Sequence, residues 1–250
     1  MSDANATGTR PEGATDERTA AAAVRQMFSD IAPRYDLLNH LLSLNIDKLW
    51  WRRTARAFSG VLARPDARVL DLCCGTGDMA LALLRESGRR GGSAHVVGAD
   101  FSHPMLARAR EKFAGRSAEA IEADALTLPL AGASFDLVTS AFGFRNLANY
   151  DKGLREIHRV LRPGGEVGIL DFGEPRGLVG GVYRIYFRRV LPAVGTMISG
   201  VRGAYSYLPA SVERFPDPEE MLARMRAAGF QEVSWTPYSF GIAGLYRGKK

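Results

Sequence analysis

A doubly wound α/β fold, with a parallel sheet between two layers of helices, is the fold class the sequence predicts. Three observations predict it. From Arg68 onward, short apolar runs alternate with helical ones, the pattern of strands joined by crossover helices. The first such run ends in a glycine turn, Cys74-Gly-Thr-Gly-Asp78, that leads into a helix. The length of 250 residues, with 46% hydrophobic and 24% charged, suffices for one large domain with its own core.

The elements follow in order. Residues 1–20 are expected as a disordered tail, because nothing large and apolar follows Met1 in the first 19. Val24, Met27, Phe28 and Ile31 then recur at helical spacing until Pro33 stops the pattern, and Leu37, Leu38, Leu41 and Leu42 repeat it before Trp50 and Trp51. Residues 68–72 read as a buried strand, with a helix from about Asp78. A second strand, residues 94–99, closes on Asp100, and Pro104 suits the first turn of a helix reaching about Phe113. Residues 118–122 and 134–140 give the third and fourth strands. A helix from about Tyr150 stops at Arg162-Pro-Gly-Gly165, and the fifth strand starts at Glu166. A last helix, residues 218–228, precedes two strands, 231–236 and 239–247. Two segments, about 21–60 and 172–216, lie outside this alternation. They are expected to cap the carboxyl edge of the sheet, where such folds bind ligands.

Several classes are excluded. The two cysteines, Cys73 and Cys74, are adjacent, which rules out a disulfide framework and a four-ligand zinc site, and no metal-like spacing joins the four histidines. Free thiols and the lack of an apolar leader lead us to expect a cytoplasmic protein. The longest uncharged stretch of the second half, residues 190–201, falls short of the ~20 residues of a membrane span. A net charge of +6 fits nucleic acid, an anionic membrane surface or a scattered basic exterior alike.

The glycine turn taken alone suits two cofactors. Gly75-Thr-Gly77-Asp-Met-Ala80 satisfies the loose dinucleotide pattern, and Asp100 at the end of the second strand fits ribose binding in either case. Charge separates them. A dinucleotide would rest its pyrophosphate on the helix N-terminus, where Asp78 stands with Asp71 close behind. Four acids at strand ends or turns, Asp71, Asp78, Asp100 and Asp124, suit a cationic ligand without phosphate, and S-adenosylmethionine carries an ammonium and a sulfonium. By position, Asp71 and the Gly75–Gly77 loop face its methionine portion, with Thr76 offering hydroxyl and amide. Asp100 takes the ribose hydroxyls, Asp124 and the Ala125 backbone meet the adenine edge, and Met105 or Phe101 packs on the ring.

At this point the sequence resembles the menaquinone and ubiquinone C-methyltransferases of the class I methyltransferases. The resemblance runs from Val24 to near the end. It is carried by Met27-Phe-Ser-Asp-Ile-Ala-Pro-Arg-Tyr-Asp-Leu-Leu-Asn39, Cys74-Gly-Thr-Gly-Asp78, Phe142-Gly-Phe-Arg-Asn146, Arg159-Val-Leu-Arg-Pro-Gly-Gly165, Tyr205-Ser-Tyr-Leu-Pro-Ala-Ser211 and Phe215-Pro216. It implies a Rossmann-like sheet, mostly parallel with an antiparallel final strand and a helical cap, in a single domain over residues 21–250. It also implies S-adenosylmethionine at Thr76, Asp100, Asp124 and Ala125. Some members contact the cofactor through a serine before the Phe-Gly of the fourth motif; Ala141 stands there, leaving its backbone for that contact.

The implied reaction puts a methyl group on a ring carbon of a prenylated quinol. A ring carbon becomes nucleophilic when its quinol oxygen turns phenolate-like, and an unperturbed phenol titrates near pH ~10. Arg145 is the residue expected to stabilise that oxyanion, since an arginine is a poor proton acceptor. Asn146 would fix geometry, with Tyr205 and Tyr207 as further candidates from the cap. The Cys-Cys pair resembles menaquinone-only members, which tilts the reading toward demethylmenaquinol, giving menaquinol, with dual or sole action on a 2-methoxy-6-polyprenyl-1,4-benzoquinol as the alternative. Tyr183, Ile185, Tyr186, Phe187 and residues 190–201, edged by Arg184, Arg188, Arg189 and Arg202, suit either an interfacial helix that receives the tail and touches the membrane peripherally or a core-facing helix with snorkelling arginines, and a homodimer is compatible with the chain. No nucleic-acid partner is expected. The Asp/Asn-Pro-Pro-aromatic motif of amino-group enzymes is absent after the fourth strand, and no cysteine lies beyond it to serve as a cytosine-C5 nucleophile.

Overall fold

The structure is a computed structural model, and it describes residues 8–36, 43, 45–173, 175 and 204–250. Seven strands form one sheet in the order β3-β2-β1-β4-β5-β7-β6. They are β1 (Arg68–Leu72), β2 (His95–Asp100), β3 (Ala118–Glu122), β4 (Phe135–Ala141), β5 (Leu161–Phe172), β6 (Gln231–Tyr238) and β7 (Ala243–Lys249). The pairings from β3 across to β5 are parallel, whereas β7 runs antiparallel to both β5 and β6.

Alternate strand residues feed two cores, which is what strands covered on both faces must do. Leu70, Leu72, Val97, Val138 and Ile169 point to one face. There they meet α6 (Tyr150–Val160) through Tyr150, Leu154 and Ile157, and α8 (Pro218–Ala227) through Met221 and Met225. Val69, Val96, Leu137 and Leu170 point to the other. That face is covered by α2 (Ile46–Ala57), the one-turn α3 (Ser59–Leu62), α4 (Asp78–Arg89) and α5 (His103–Phe113), through Trp50, Phe58, Leu62, Met79, Leu83 and Phe113.

The sequence expectations need four adjustments. The tail is ordered from Gly8. α1 (Glu17–Ile31) starts inside it on a capping box in which Asp16 and Thr19 each accept the other's backbone N–H. Gly8, Thr9 and Arg10 lie against the body, held by a bond from the Thr9 amide to the Leu147 carbonyl at 2.8 Å and one from Arg10 to the Ala148 carbonyl at 2.8 Å. Main-chain and guanidinium hydrogen bonds, not large apolar side chains, hold this segment. β5 begins at Leu161, earlier than expected, because the Arg162-Pro-Gly-Gly165 turn is a bulge in the strand; Gly164 and Gly165 exchange backbone bonds with Lys250. Residues 239–247 are not one strand, since Ser239, Phe240 and Gly241 all take positive φ and make a tight 3-10 turn between β6 and β7. Finally, α1 and α2 part ways: α1 lies over the carboxyl edge, whereas Trp50 and Ala55 of α2 are buried in the core beside α4.

The leucine repeat 37–42, His40 and the aromatic stretch 183–202 lie outside the described residues. Among those described, no helix is long and apolar enough to cross a membrane.

Candidate active site

The sheet order reverses between β1 and β4, and a pocket opens beyond the carboxyl ends of these strands, the place where doubly wound sheets bind ligands. Its floor is Leu72 and Cys73 at the end of β1, Ala99 and Asp100 closing β2, Asp124 and Ala125 after β3, and Ala141 and Phe142 at the end of β4. Ala21 and Phe28 of α1, with Tyr35 just beyond it, close the outer side; Phe28 and Tyr35 meet edge to face at 6.1 Å. Asn146, Leu147 and Ala148 form the far wall.

Asp100 organises the near end. One carboxylate oxygen accepts the Gly75 amide and the other the Ser102 amide, both at 2.9 Å. Burial pushes this carboxyl upward against the pull of those two donors. Gly75 can take its φ of +54° without strain, and at Gly77, φ +89°, a β-carbon would collide with the Phe113 ring at 2.5 Å. Asp124 is exposed, and its side chain accepts the Leu126 amide at 2.8 Å, leaving carboxylate lone pairs on the rim. Met105 is fully buried and lines the pocket beside Phe101.

The other two acids are placed differently from expectation. Asp78 is not a free rim charge: Lys112 bridges Asp78 at 3.0 Å and Asp36 at 2.8 Å. Thr76 is buried, its hydroxyl donating to Asp36 and accepting from Lys112 at 3.0 Å. It therefore ties the glycine loop to the chain after α1, rather than presenting its hydroxyl to the pocket. Asp71 is fully buried below the loop, accepts the Thr139 hydroxyl at 2.9 Å, and has its second oxygen without a partner. Burial drives its carboxyl up to about 7.

The turn after β4 corrects the expectation for Arg145. Its guanidinium does not line the pocket; it pairs with buried Asp171 at 3.0 Å, donates to the Phe142 carbonyl and the Ser211 hydroxyl, and lies over the Phe172 ring. Its amide also reaches Asp171 at 2.9 Å. Arg145 thus fixes Phe142, which holds a φ of +58° on the pocket wall. Asn146, its neighbour, does reach the pocket, and its side-chain oxygen accepts from the Tyr207 hydroxyl at 3.0 Å. Tyr205 belongs to the first turn of α7 (Ala204–Arg214), and its side chain lies outside the described residues.

The pocket therefore gathers Gly75, Asp100, Met105, Asp124, Ala125, Ala141 and Asn146, while Asp71, Thr76, Gly77 and Arg145 support it from behind. Sequence reasoning missed Asp36, Lys112, Asp171 and Thr9, each a partner remote in sequence. Asp36 alone had a signal, standing in the quoted Arg-Tyr-Asp run. Burial pushes both Cys73 and Cys74 well up, so neither is a ready thiolate. No group of residues suited to a metal ion occurs among the described residues.

These residues fit a sulfonium cofactor on one observation. The wall carries two carboxylates and, among the described residues, no lysine, arginine or histidine, so a diphosphate would lack a cation there.

Comparison with known proteins agrees. Residues 14–250 match the ubiE/COQ5 methyltransferase family. The chain is 54% identical over 227 residues to a demethylmenaquinone methyltransferase of Thermus thermophilus, covering 90% of this chain and all of that one. It is 44% identical over 233 residues to a ubiquinone/menaquinone biosynthesis C-methyltransferase of Geobacter sulfurreducens, covering 91% and 88%. The fold is that of a SAM-dependent methyltransferase from Thermotoga maritima, described as a possible histamine N-methyltransferase. That structure gives a TM-score of 0.62 at 20% identity over 91% of this chain and 99% of the other. With the family matched from residue 14 to the last residue, and the pocket in the place and with the charge that a sulfonium cofactor requires, this chain belongs to the ubiE/COQ5 methyltransferase family.

Proposed function

We propose that this chain moves a methyl group from S-adenosylmethionine to the ring carbon of demethylmenaquinol, giving menaquinol. The observation that carries the reading is the 54% identity, spanning all of the relative, to a demethylmenaquinone methyltransferase. The form of the pocket supports it, with carboxylates at one end and an apolar wall ending in a single amide at the other.

The bound cofactor supplies an electrophilic methyl group. Asp100 would hold the ribose hydroxyls, since each of its oxygens retains a lone pair after binding one amide. Asp124 and Ala125 would meet the adenine edge, and Met105 its face. On the substrate side, Asn146 lines the wall and would meet a quinol oxygen, and Tyr205 is a further candidate from α7. Arg145 acts as a positioning residue, holding the Phe142–Asn146 turn through Asp171. The apolar remainder of the wall keeps water from the reacting carbon, so alignment and desolvation carry much of the rate enhancement.

The proposal extends to peripheral membrane contact, in keeping with a prenylated substrate. Leu49 (58% exposed) and Phe240 (83% exposed) project from α2 and from the strained turn before β7, beside exposed Lys48, Arg52 and Arg53. Apolar side chains ringed by cations suit an anionic lipid surface.

The relative named for both quinones keeps a second substrate in view. Reduced demethylmenaquinol, a 2-methoxy-6-polyprenyl-1,4-benzoquinol and total RNA, each offered with methyl-labelled cofactor, separate the cases. Label in the naphthoquinol alone is the expected result. Label in both quinols would mean a dual enzyme, and label only in RNA would overturn the quinol assignment.

A further inference from the structure

Residues 8–10 lie before the stretch matched by the family, yet they bond to two residues of the pocket wall from behind. Thr9 is 1% exposed. Its amide bonds the Leu147 carbonyl and Arg10 bonds the Ala148 carbonyl, both on residues that line the pocket. The strap is also held from outside, where Arg214 of α7 donates to the Arg10 carbonyl at 2.7 Å. A β-carbon at Gly8 would stand 2.2 Å from the Ala148 backbone, so the chain passes this close only because that residue is glycine.

The Thr9 hydroxyl sits 2.8 Å from the Tyr207 hydroxyl, which sits 3.0 Å from the Asn146 side-chain oxygen. Each hydroxyl has one proton to give. Tyr207 gives its proton to Asn146, so it must accept from Thr9. With its oxygen taken, the Asn146 amide is left with its NH2 group for the pocket it lines. An NH2 donor suits a substrate oxygen that becomes negative and would be wasted on an acceptor-poor apolar ligand.

We propose that Thr9 is a positioning residue. Acting through Tyr207, it fixes the orientation of the Asn146 amide so that an N–H donor of its NH2 group faces an anionic oxygen of the substrate. The proposal rests on the quinol reading for the identity of that oxygen, and on the three-residue chain for everything else.

Thr9→Val removes the hydroxyl at nearly constant shape, and Thr9→Ser keeps it. Steady-state methyl transfer to demethylmenaquinol is expected to show kcat about 10-fold lower in Thr9→Val, the loss of roughly one oriented hydrogen bond. The Kd for S-adenosylhomocysteine and the melting temperature should hold, and Thr9→Ser should recover the rate. A second readout needs no turnover. With S-adenosylhomocysteine present, 1-naphthol bound to the wild type should titrate about one unit below free naphthol, followed by its fluorescence, because a donor favours the naphtholate. Thr9→Val and Tyr207→Phe should lose that shift, and Thr9→Ser should keep it. An unshifted naphthol in the wild type, or identical shifts and kcat in wild type and Thr9→Val, would overturn the proposal. A shift that follows Thr9 in a protein that methylates no quinol would leave the chain of hydroxyls standing and sink only the substrate.

Discussion

Asp100 and Asp71 are both buried acids under the same pocket, but their surroundings give them different work. Asp100 collects two backbone amides and faces the ligand, so Asp100→Ala removes the acceptor for the Gly75 loop together with the ribose contact. Calorimetry should find S-adenosylhomocysteine bound about 100-fold more weakly, the sum of two ordinary polar losses. Asp71 has one hydroxyl donor and one unpartnered oxygen, and burial lifts it to about 7. An acid raised on folding favours the fold below about pH 4 and loses that contribution progressively as pH rises to about 7. Asp71→Asn is therefore expected to flatten the stability profile across that window and to melt above the parent at about pH 8; equal melting at every pH would contradict the assignment. The residue types at both positions were legible in the sequence, as were Met105, Asp124, Ala125 and Asn146. What each would bond was not. Asp78 and Thr76 read as ligand groups until Lys112 and Asp36 are brought to them from 34 and 40 residues away, and no local pattern encodes such a meeting.

At the scale of elements, the turn after β4 and the end of β5 act as one piece, because Arg145 and Asp171 are paired where neither reaches water. Removing one member strands the other, at a cost of about 3–5 kcal/mol. Arg145→Met should lower the melting temperature on the order of 10 °C for a chain of this size, as well as lowering activity. Adding Asp171→Leu should return part of the melting temperature while leaving methyl transfer impaired, since Phe142 and Asn146 stay unanchored. Recovery of both would contradict the positioning role. The strands and helices themselves were legible from periodicity: β1 and β3 have the bounds the sequence suggested. Errors fell where the backbone departs from a simple period, at the bulge of residues 162–165 and at the positive-φ turn 239–241. The N-terminal segment misled for another reason. Composition weighs side chains, whereas Gly8–Arg10 is ordered by main-chain and guanidinium bonds to 147–148.

Taken whole, the described residues form a two-faced sheet with a ligand crevice at its topological switch, closed on one side by α1. Leu49 and Phe240 are exposed apolar side chains, and Lys48, Arg52 and Arg53 are exposed on the same helix as Leu49. Flotation with vesicles containing anionic lipid should carry the protein at low salt. Flotation should fall as salt screens the basic residues and be lost in the Leu49→Glu, Phe240→Glu double variant. Flotation unchanged in that variant would place membrane contact elsewhere. Methylation of a quinol ring carbon can be read from mass spectrometry and NMR of the product made from demethylmenaquinol and methyl-labelled S-adenosylmethionine. Menaquinol with the label on the ring carbon is the expected product. Label on a quinol oxygen, or a quinol recovered unchanged beside a bound cofactor, would contradict ring-carbon methylation.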